Sequence, residues 1–264
     1  MDDIKNEHAT AGDIVLNLYK KQGETPRECL ERLRELNPRY LHEVLSYAGR
    51  LDPMAEGVLL CLVGSANKHR SNYLDLNKEY TLDVLFGFTT DTYDILGRVM
   101  DAGSTKSVRR RRVAQGINEF RGKREQEYPP FSSKTVEGRS LIEWARNGTL
   151  SAIVLPQRSV TIYHIELKEM YQVDEKTLLS YIEQSVGLVQ GDFRQEEILR
   201  TWQRYLKKSG TRLFPAATIS VECSSGTYVR SIAHELGKLL GVPALALHIL
   251  RTRVGEHDVK DALW

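Results

Sequence analysis

The residues best placed to do chemistry lie in one short stretch, where Asp52 and Pro53 are flanked by Gly49 and Gly57 and followed by an apolar run over residues 58–63. Because Pro53 fixes its own φ and cannot donate to a β-ladder, the pattern predicts that Asp52 sits on a turn leading into a buried strand. A carboxylate at the mouth of a buried strand can act as a nucleophile or a base. Asp-Pro is also common in turns where the carboxylate only caps backbone groups, so the surrounding pattern must decide.

Two later segments supply groups that would suit a site built around a reactive carboxylate. Tyr80 lies on an alternating stretch that predicts a strand, and its ring either packs in the core or lines a pocket. Another predicted strand ends just before Tyr228 and Arg230, ahead of an apolar helix predicted over residues 232–240. The guanidinium fork of Arg230 can pair with a carboxylate and keep it ionised. We therefore favour a partner of Asp52 over a plain surface ion pair.

Basic residues in two other segments could reach the phosphates of a nucleic acid. Residues 109–112 are four consecutive arginines in a helix predicted over residues 108–120, with Ser107 as its cap. They cannot all share one helix face, so most are solvated and one or two could reach phosphate. Two consecutive prolines predict a rigid loop before Lys134, which is either a phosphate contact or a solvated surface lysine.

These segments occur in the order of motifs found in the TruB-type tRNA pseudouridine synthases, which the chain resembles. The catalytic-loop motif G-x-L-D-P-x-A-x-G-V-L begins at Gly49, and a K-x-Y motif ends at Tyr80. A G-x-x-T-D-T-x-D motif begins at Gly87, a Pro-Pro-Phe-Ser run leads to Lys134, and a G-T-Y-x-R motif begins at Gly226. Several ordered motifs of this length make a chance similarity hard to sustain.

The resemblance implies an α+β pseudouridine synthase fold, in which a central mixed, mostly antiparallel sheet is flanked by helices. It implies that Asp52 is catalytic, that Tyr80 stacks on the target uracil, and that Tyr228 and Leu250 complete the base pocket. Tyr47 stands where family members carry a histidine, and it keeps an aromatic donor for substrate contact. The family isomerises a uridine in the T-loop of tRNA, at position 55, without a metal or cofactor. The target base must leave the stack to be reached.

The composition is that of an ordinary globular protein, and it limits the choice of partners and compartment. The formal net charge is only +2, so any basic surface for RNA must be local. The 3 cysteines lie far apart, without the spacing of metal ligands or of a disulfide framework, which fits a reducing cytoplasm. The polar, acidic start is unlike a signal peptide, and no apolar run is long enough to span a membrane. We expect a cytoplasmic protein with no metal and no membrane partner.

We expect one catalytic domain over residues 13–264 after a flexible lead-in at residues 1–12. The family resemblance covers residues 13–171 and 216–255. Between these segments, residues 172–215 show helical spacing and predict an inserted pair of helices. This helical insertion either covers a sheet edge or extends an RNA surface, and we favour the cover. The PUA-type RNA-binding domain of many family members has no counterpart here, so we expect a form that lacks it.

Three functions remain open from the sequence. The first is isomerisation of uridine to pseudouridine in the T-arm of tRNA by a monomer. The second is a non-catalytic tRNA-binding or tRNA-folding module of the same fold, and the third is a synthase that acts at another RNA position. Asp52, Tyr80 and Arg230 together favour an enzyme, because a module without catalysis does not need all three.

Overall fold

The computed structural model describes residues 14–264, so the lead-in predicted at residues 1–12 lies outside the described residues. The strands of the described chain are β1 (Ile14–Lys20), β2 (Leu45–Ala48), β3 (Glu56–Val63), β4 (Lys78–Phe86), β5 (Phe88–Thr90), β6 (Val99–Ala102), β7 (Gly122–Glu127), β8 (Thr135–Val136), β9 (Arg139–Ser140), β10 (Gln157–Asp174), β11 (Leu213–Cys223), β12 (Ala244–Val254) and β13 (His257–Asp258). Its α-helices are α1 (Pro26–Leu36), α2 (Arg70–Leu74), α3 (Arg110–Asn118), α4 (Leu141–Arg146), α5 (Glu175–Leu188), α6 (Gln195–Tyr205) and α7 (Val229–Leu240).

Nine strands of the described residues form one mixed sheet in the order β1-β3-β12-β4-β11-β10-β7, with β2 beside β3 and β13 beside β12. All pairs in this sheet are antiparallel except β3 with β12. Those two strands meet in parallel register, with Glu56 beside Leu250 and Gly57 beside Arg251. The predicted α+β fold with a mostly antiparallel sheet is therefore confirmed. The parallel contact lies directly after the Asp52 loop, so it fixes where that loop leaves the sheet.

Strand β3 is buried on both faces, as its continuous apolar run predicts. Successive side chains of a strand point to opposite faces. Leu59, Cys61 and Val63 accordingly pack in one cluster with the apolar face of α1, while Val58, Leu60 and Leu62 pack in another with Val254. The strand that carries the Asp52 loop is thus held from both sides.

The predicted end of the helix over residues 232–240 is confirmed, whereas two predicted helix starts are wrong. Helix α7 ends at Leu240, with Gly241 as its C-cap at φ +67°. At α1, the side chain of Thr25 forms a capping box with Glu28. Helix α3 begins at Arg110 and not at residue 108, because the chain first makes a turn in which Val108 N–H donates to the Thr105 carbonyl. Helix α7 begins at Val229, so Arg230 lies in its first turn and not before it.

The predicted inserted pair of helices is present as α5 and α6. Trp202 of α6 is fully buried, and its indole N–H donates to the carbonyl of Ile95 at 3.2 Å. Its ring also packs against Phe88, which contacts Phe214 in turn. The pair therefore joins the main hydrophobic core and is not a loose appendage.

Candidate active site

The loop between β2 and β3 places Asp52 on a turn, as the sequence predicts. Ala55 N–H donates to the Asp52 carbonyl at 3.0 Å, and Gly23 N–H donates to the Pro53 carbonyl at 2.8 Å. The neighbouring side chains of Leu51 and Met54 are buried and anchor the loop in the core. The Asp52 side chain remains 30% exposed, so the carboxylate faces an open space from a fixed backbone.

Arg230 lies against Asp52, with Arg230 Nε 2.8 Å from Asp52 Oδ2. The contact is an ion pair between a buried cation and a part-exposed carboxylate. The other guanidinium nitrogens donate to two carbonyls at 2.8 Å each, Nη1 to Thr92 and Nη2 to Phe131. Burial alone would lower the pKa of Arg230, but the charges of Asp52 and Asp94 raise it above its usual value. The buried guanidinium stays charged.

A second acid, Asp94, also interacts electrostatically with Arg230 and was not singled out from the sequence. It is buried, and its Oδ1 accepts from the Thr92 hydroxyl at 2.6 Å and from Leu96 N–H at 3.0 Å. Burial raises the pKa of Asp94 to about 6, although Arg230 opposes the rise. Its place as the last residue of the T-D-T-x-D motif was the available signal.

Arg251 of β12 holds the Asp52 loop through hydrogen bonds to backbone carbonyls. It is also buried, and it was likewise not singled out from the sequence. Its Nε donates to the Val58 carbonyl at 2.7 Å, and its Nη2 donates to the Gly49 carbonyl at 3.1 Å. A longer bond of 3.4 Å joins Nη1 to the Arg50 carbonyl. One side chain therefore satisfies carbonyls at both ends of the loop that carries Asp52.

Asp52 opens into a cleft of about 830 Å³ between the sheet and the loops that surround it. Aromatic side chains line it at Tyr47, Tyr80, Phe131, Phe193 and Tyr228. The arginines that line it are Arg27, Arg50, Arg146, Arg158, Arg194, Arg230 and Arg251. Among the described residues, the acids that line the same surface are Asp52, Asp75 and Asp94. The cleft is therefore basic and aromatic, which suits a polyanion with stacking bases.

The three aromatic residues that the family resemblance assigns to substrate contact, Tyr47, Tyr80 and Tyr228, all line this cleft. Tyr80 is only 8% exposed, so the choice between core and pocket was a false one, because the ring is both buried and part of the cleft wall. Burial raises the pKa of Tyr80 to about 12. Tyr228 packs edge-on against Tyr128 with ring centroids 5.6 Å apart, and the Tyr47 hydroxyl accepts from Arg50 Nη2 at 3.3 Å.

Two predicted substrate contacts do not lie in the cleft. Leu250 points away from it, because neighbouring residues of β12 alternate between faces and Ile249 and Arg251 occupy the cleft side. Ile249, and not Leu250, is the apolar residue of this strand in the cleft wall. Lys134 is exposed outside the cleft, with its ammonium 5.6 Å from the ring centroid of Tyr128.

His234 and His248 contact an aromatic ring and a carboxylate. His234 stacks on Tyr93 at 3.7 Å, and His248 lies 2.9 Å from a Glu56 carboxylate oxygen. Within residues 14–264, no group of three or more His, Cys, Asp or Glu side chains is arranged to hold a metal ion. No helix in that part of the chain is both long and apolar enough to cross a membrane.

Comparison with known proteins places this site in a family. Residues 40–188 match the family model described as TruB family pseudouridylate synthase (N terminal domain). Similar curated proteins are each named tRNA pseudouridine synthase B. That of Caldanaerobacter subterraneus is 28% identical over 250 residues, covering 95% of this chain and 72% of its own length. Those of Aquifex aeolicus and Bacillus cereus are 29% and 30% identical, covering 95% and 94% of this chain and 71% and 68% of their own lengths. The chain belongs to the TruB family of pseudouridylate synthases.

Solved structures agree at the level of the fold. The chain is similar to one in a crystal structure of a Cbf5-Nop10-Gar1 complex, with a TM-score of 0.56 and 22% identity. That match covers 92% of this chain and 49% of the other. A structure of an H/ACA RNP bound to a substrate RNA containing 2′-deoxyuridine gives a TM-score of 0.53 at 20% identity, covering 92% of this chain and 48% of the other. The chain therefore spans about half the length of these solved chains.

Proposed function

We propose that the protein isomerises uridine to pseudouridine in tRNA, with the T-arm uridine at position 55 as its target. The observation that carries the proposal is the Asp52–Arg230 pair, in which a part-exposed carboxylate faces a basic aromatic cleft and is paired with a buried cation at 2.8 Å. The family match and the curated relatives that are named tRNA pseudouridine synthase B support the same reaction.

The reaction breaks the bond between uracil N1 and ribose C1′ and forms a bond from C5 to the same carbon. A proton leaves C5 and a proton is added at N1, so the atoms balance without another reactant. Asp52 acts as the nucleophile or base, and Arg230 holds it ionised and oriented.

The cleft walls supply binding. The target uridine leaves the stack and enters the cleft, where Tyr80 stacks on the uracil and Tyr228, Tyr47 and Ile249 pack around it. Lys134 and the arginines of the rim contact phosphates on either side. We propose that the protein does this as a monomer and that it reads the T-arm mainly by shape.

The direct test is to incubate the protein with an unmodified tRNA transcript and map pseudouridine by position. We expect product at the T-loop uridine, and we expect Asp52→Asn to lower the rate by about a thousandfold or more. Asp101→Asn is the control, since Asp101 is exposed on β6 and does not line the cleft.

Other products would lead to other conclusions. Pseudouridine at another position that still depends on Asp52 would support the proposed reaction but contradict the proposed target uridine. Tight, salt-sensitive binding of tRNA without any product would instead favour a non-catalytic binding module.

A further inference from the structure

The inserted helical pair reaches the cleft, although no motif of the family lies in it. The loop between α5 and α6 brings Phe193 and Arg194 into the cleft wall. Arg194 has φ +61°, a left-handed conformation that costs energy for a residue with a side chain. Its side chain is only 16% exposed, so the arginine is held inside the wall and not on an open surface.

The side chain of Arg194 contacts two different loops of the catalytic domain. Its Nη1 lies 2.7 Å from Asp91 Oδ2, and its guanidinium carbon lies 4.4 Å from the ring centroid of Phe131. The first contact is an ion pair and the second is a cation–π contact. One side chain therefore ties the two loops together.

These two loops are the ones that hold Arg230. Arg230 donates to the carbonyl of Phe131 itself and to the carbonyl of Thr92, the residue after Asp91. A shift of either loop would rotate the guanidinium against Asp52. We propose that Arg194 is a positioning residue, which fixes the Thr92 and Phe131 carbonyls and so holds the Arg230 guanidinium against the Asp52 carboxylate. This inference rests on the function proposed above.

The charge of Arg194 is already balanced within the protein, which favours positioning over a direct contact with RNA. Arg98 Nε pairs with Asp91 at 2.9 Å, and Arg98 Nη1 pairs with Glu197 of α6 at 2.8 Å. Two arginines and two acids thus form one network across the junction between the insertion and the catalytic domain. An arginine neutralised in this way gains less from a phosphate than a free one does.

The test compares Arg194→Ala and Arg194→Lys with Arg200→Ala, which removes an exposed arginine from α6 outside the cleft. At saturating tRNA transcript, we expect Arg194→Ala to lower the single-turnover rate constant about tenfold, with the Kd for tRNA within about twofold of wild type. Arg194→Lys keeps a cation for Asp91 but loses the planar guanidinium over the Phe131 ring. Its rate constant should therefore lie between those of Arg194→Ala and wild type. Arg200→Ala should match wild type.

A double-mutant test with Arg230 distinguishes a positioning role of Arg194 from a direct contact with RNA. If Arg194 acts through Arg230, adding Arg194→Ala to Arg230→Lys should change the rate by less than about twofold. Independent effects that multiply would overturn the proposal. So would a weaker Kd and a shallower salt dependence with an unchanged rate at saturation, because those identify a direct phosphate contact.

A second readout needs no substrate. The buried Arg230 Nε–H, assigned in NMR spectra by its loss in Arg230→Lys, should exchange with solvent at least about tenfold faster in Arg194→Ala. The indole N–H of Trp202, buried in the same insertion, should keep its exchange rate. Equal acceleration at both sites would mean that Arg194 only anchors the insertion, and no acceleration at either would refute positioning. A wild-type protein that forms no product would refute the proposed function while leaving this readout decisive.

Discussion

At the scale of single residues, Asp94 gives the site its clearest pH signature. Burial raises the pKa of Asp94 to about 6 from 3.8, so the folded state holds its proton to higher pH than the unfolded chain. Its contribution to stability is complete below pH 4 and is lost as the pH rises through 6. We expect Asp94→Asn, relative to wild type, to gain up to about 3 kcal/mol in free energy of unfolding between pH 4 and pH 7.

Urea unfolding of both proteins at each pH measures this difference in free energy of unfolding. The contributions of all other titrating groups are common to both proteins and cancel in the difference. Asp101→Asn is the control, because it removes the same charge from an exposed position. A difference between Asp94→Asn and wild type that stays constant from pH 4 to pH 7 would show that Asp94 is already ionised throughout.

The residue scale also shows what motifs can and cannot predict. Asp52, Tyr80 and Arg230 were found because each stands in a motif whose residue types fit one chemistry, and the structure brings all three to one cleft. The placement of Leu250 outside the cleft wall could not be predicted, because a strand motif does not state which face of the strand meets the cleft, and β12 carries register shifts beside β4. Arg251 was missed because its partners lie about 200 positions away in the chain.

At the scale of elements, the parallel contact between β3 and β12 sets the exit of the Asp52 loop. A Cβ added at Gly57 would overlap the carbonyl oxygen of Arg251 on the neighbouring strand, and Gly57 has φ +105°. Gly122 has a similar φ of +90° but has no atom within 4 Å of the added Cβ. We expect Gly57→Ala to cost about 3–5 kcal/mol and Gly122→Ala about 1–2 kcal/mol, measured by urea unfolding. Equal costs would mean that the strands separate easily and that only the backbone conformation matters.

The second prediction for these elements concerns the stability contribution of Arg251. Replacing it with methionine leaves the Val58 and Gly49 carbonyls without their donors in a buried site, so we expect a loss of about 3–5 kcal/mol in free energy of unfolding. Arg253→Met is the matched control on the same strand. Arg253 is 45% exposed and pairs with Asp258 and Glu79, so its removal should cost under about 1 kcal/mol. A similar cost at both positions would show that the buried bonds do not hold the loop.

The elements themselves were largely predictable, since most are encoded by local periodicity and caps. The turn at Asp52, helix α1 and the inserted pair all follow from nearby residues. Helix α7 was placed too late because Arg230, a charged residue, does not look like part of an apolar helix. The ion pair with Asp52, the charge of Asp94 and the two carbonyl bonds make its burial favourable, and these come from distant segments.

At the scale of the whole molecule, charge is distributed unevenly. A net charge of +2 predicts little attraction to RNA, yet Arg27, Arg50, Arg146 and Arg158 line the cleft outside the buried network. Association with a polyanion depends on this local surface and not on the sum of charges. The sequence could state that the basic surface must be local, but only the fold shows which arginines converge.

This arrangement predicts a salt dependence steeper than the net charge suggests. If about four cleft arginines each meet a phosphate, the slope of log Kobs for tRNA against log salt concentration should be about −3. Arg27→Ala should make that slope shallower by about 1. Arg27 is 87% exposed and its ion pair with Glu31 is loose at 3.9 Å, so its removal should leave the fold intact. Filter binding at several salt concentrations measures both, with Arg200→Ala as the control. A slope unchanged by Arg27→Ala but shallower in Arg200→Ala would move the RNA surface from the cleft to the inserted helices.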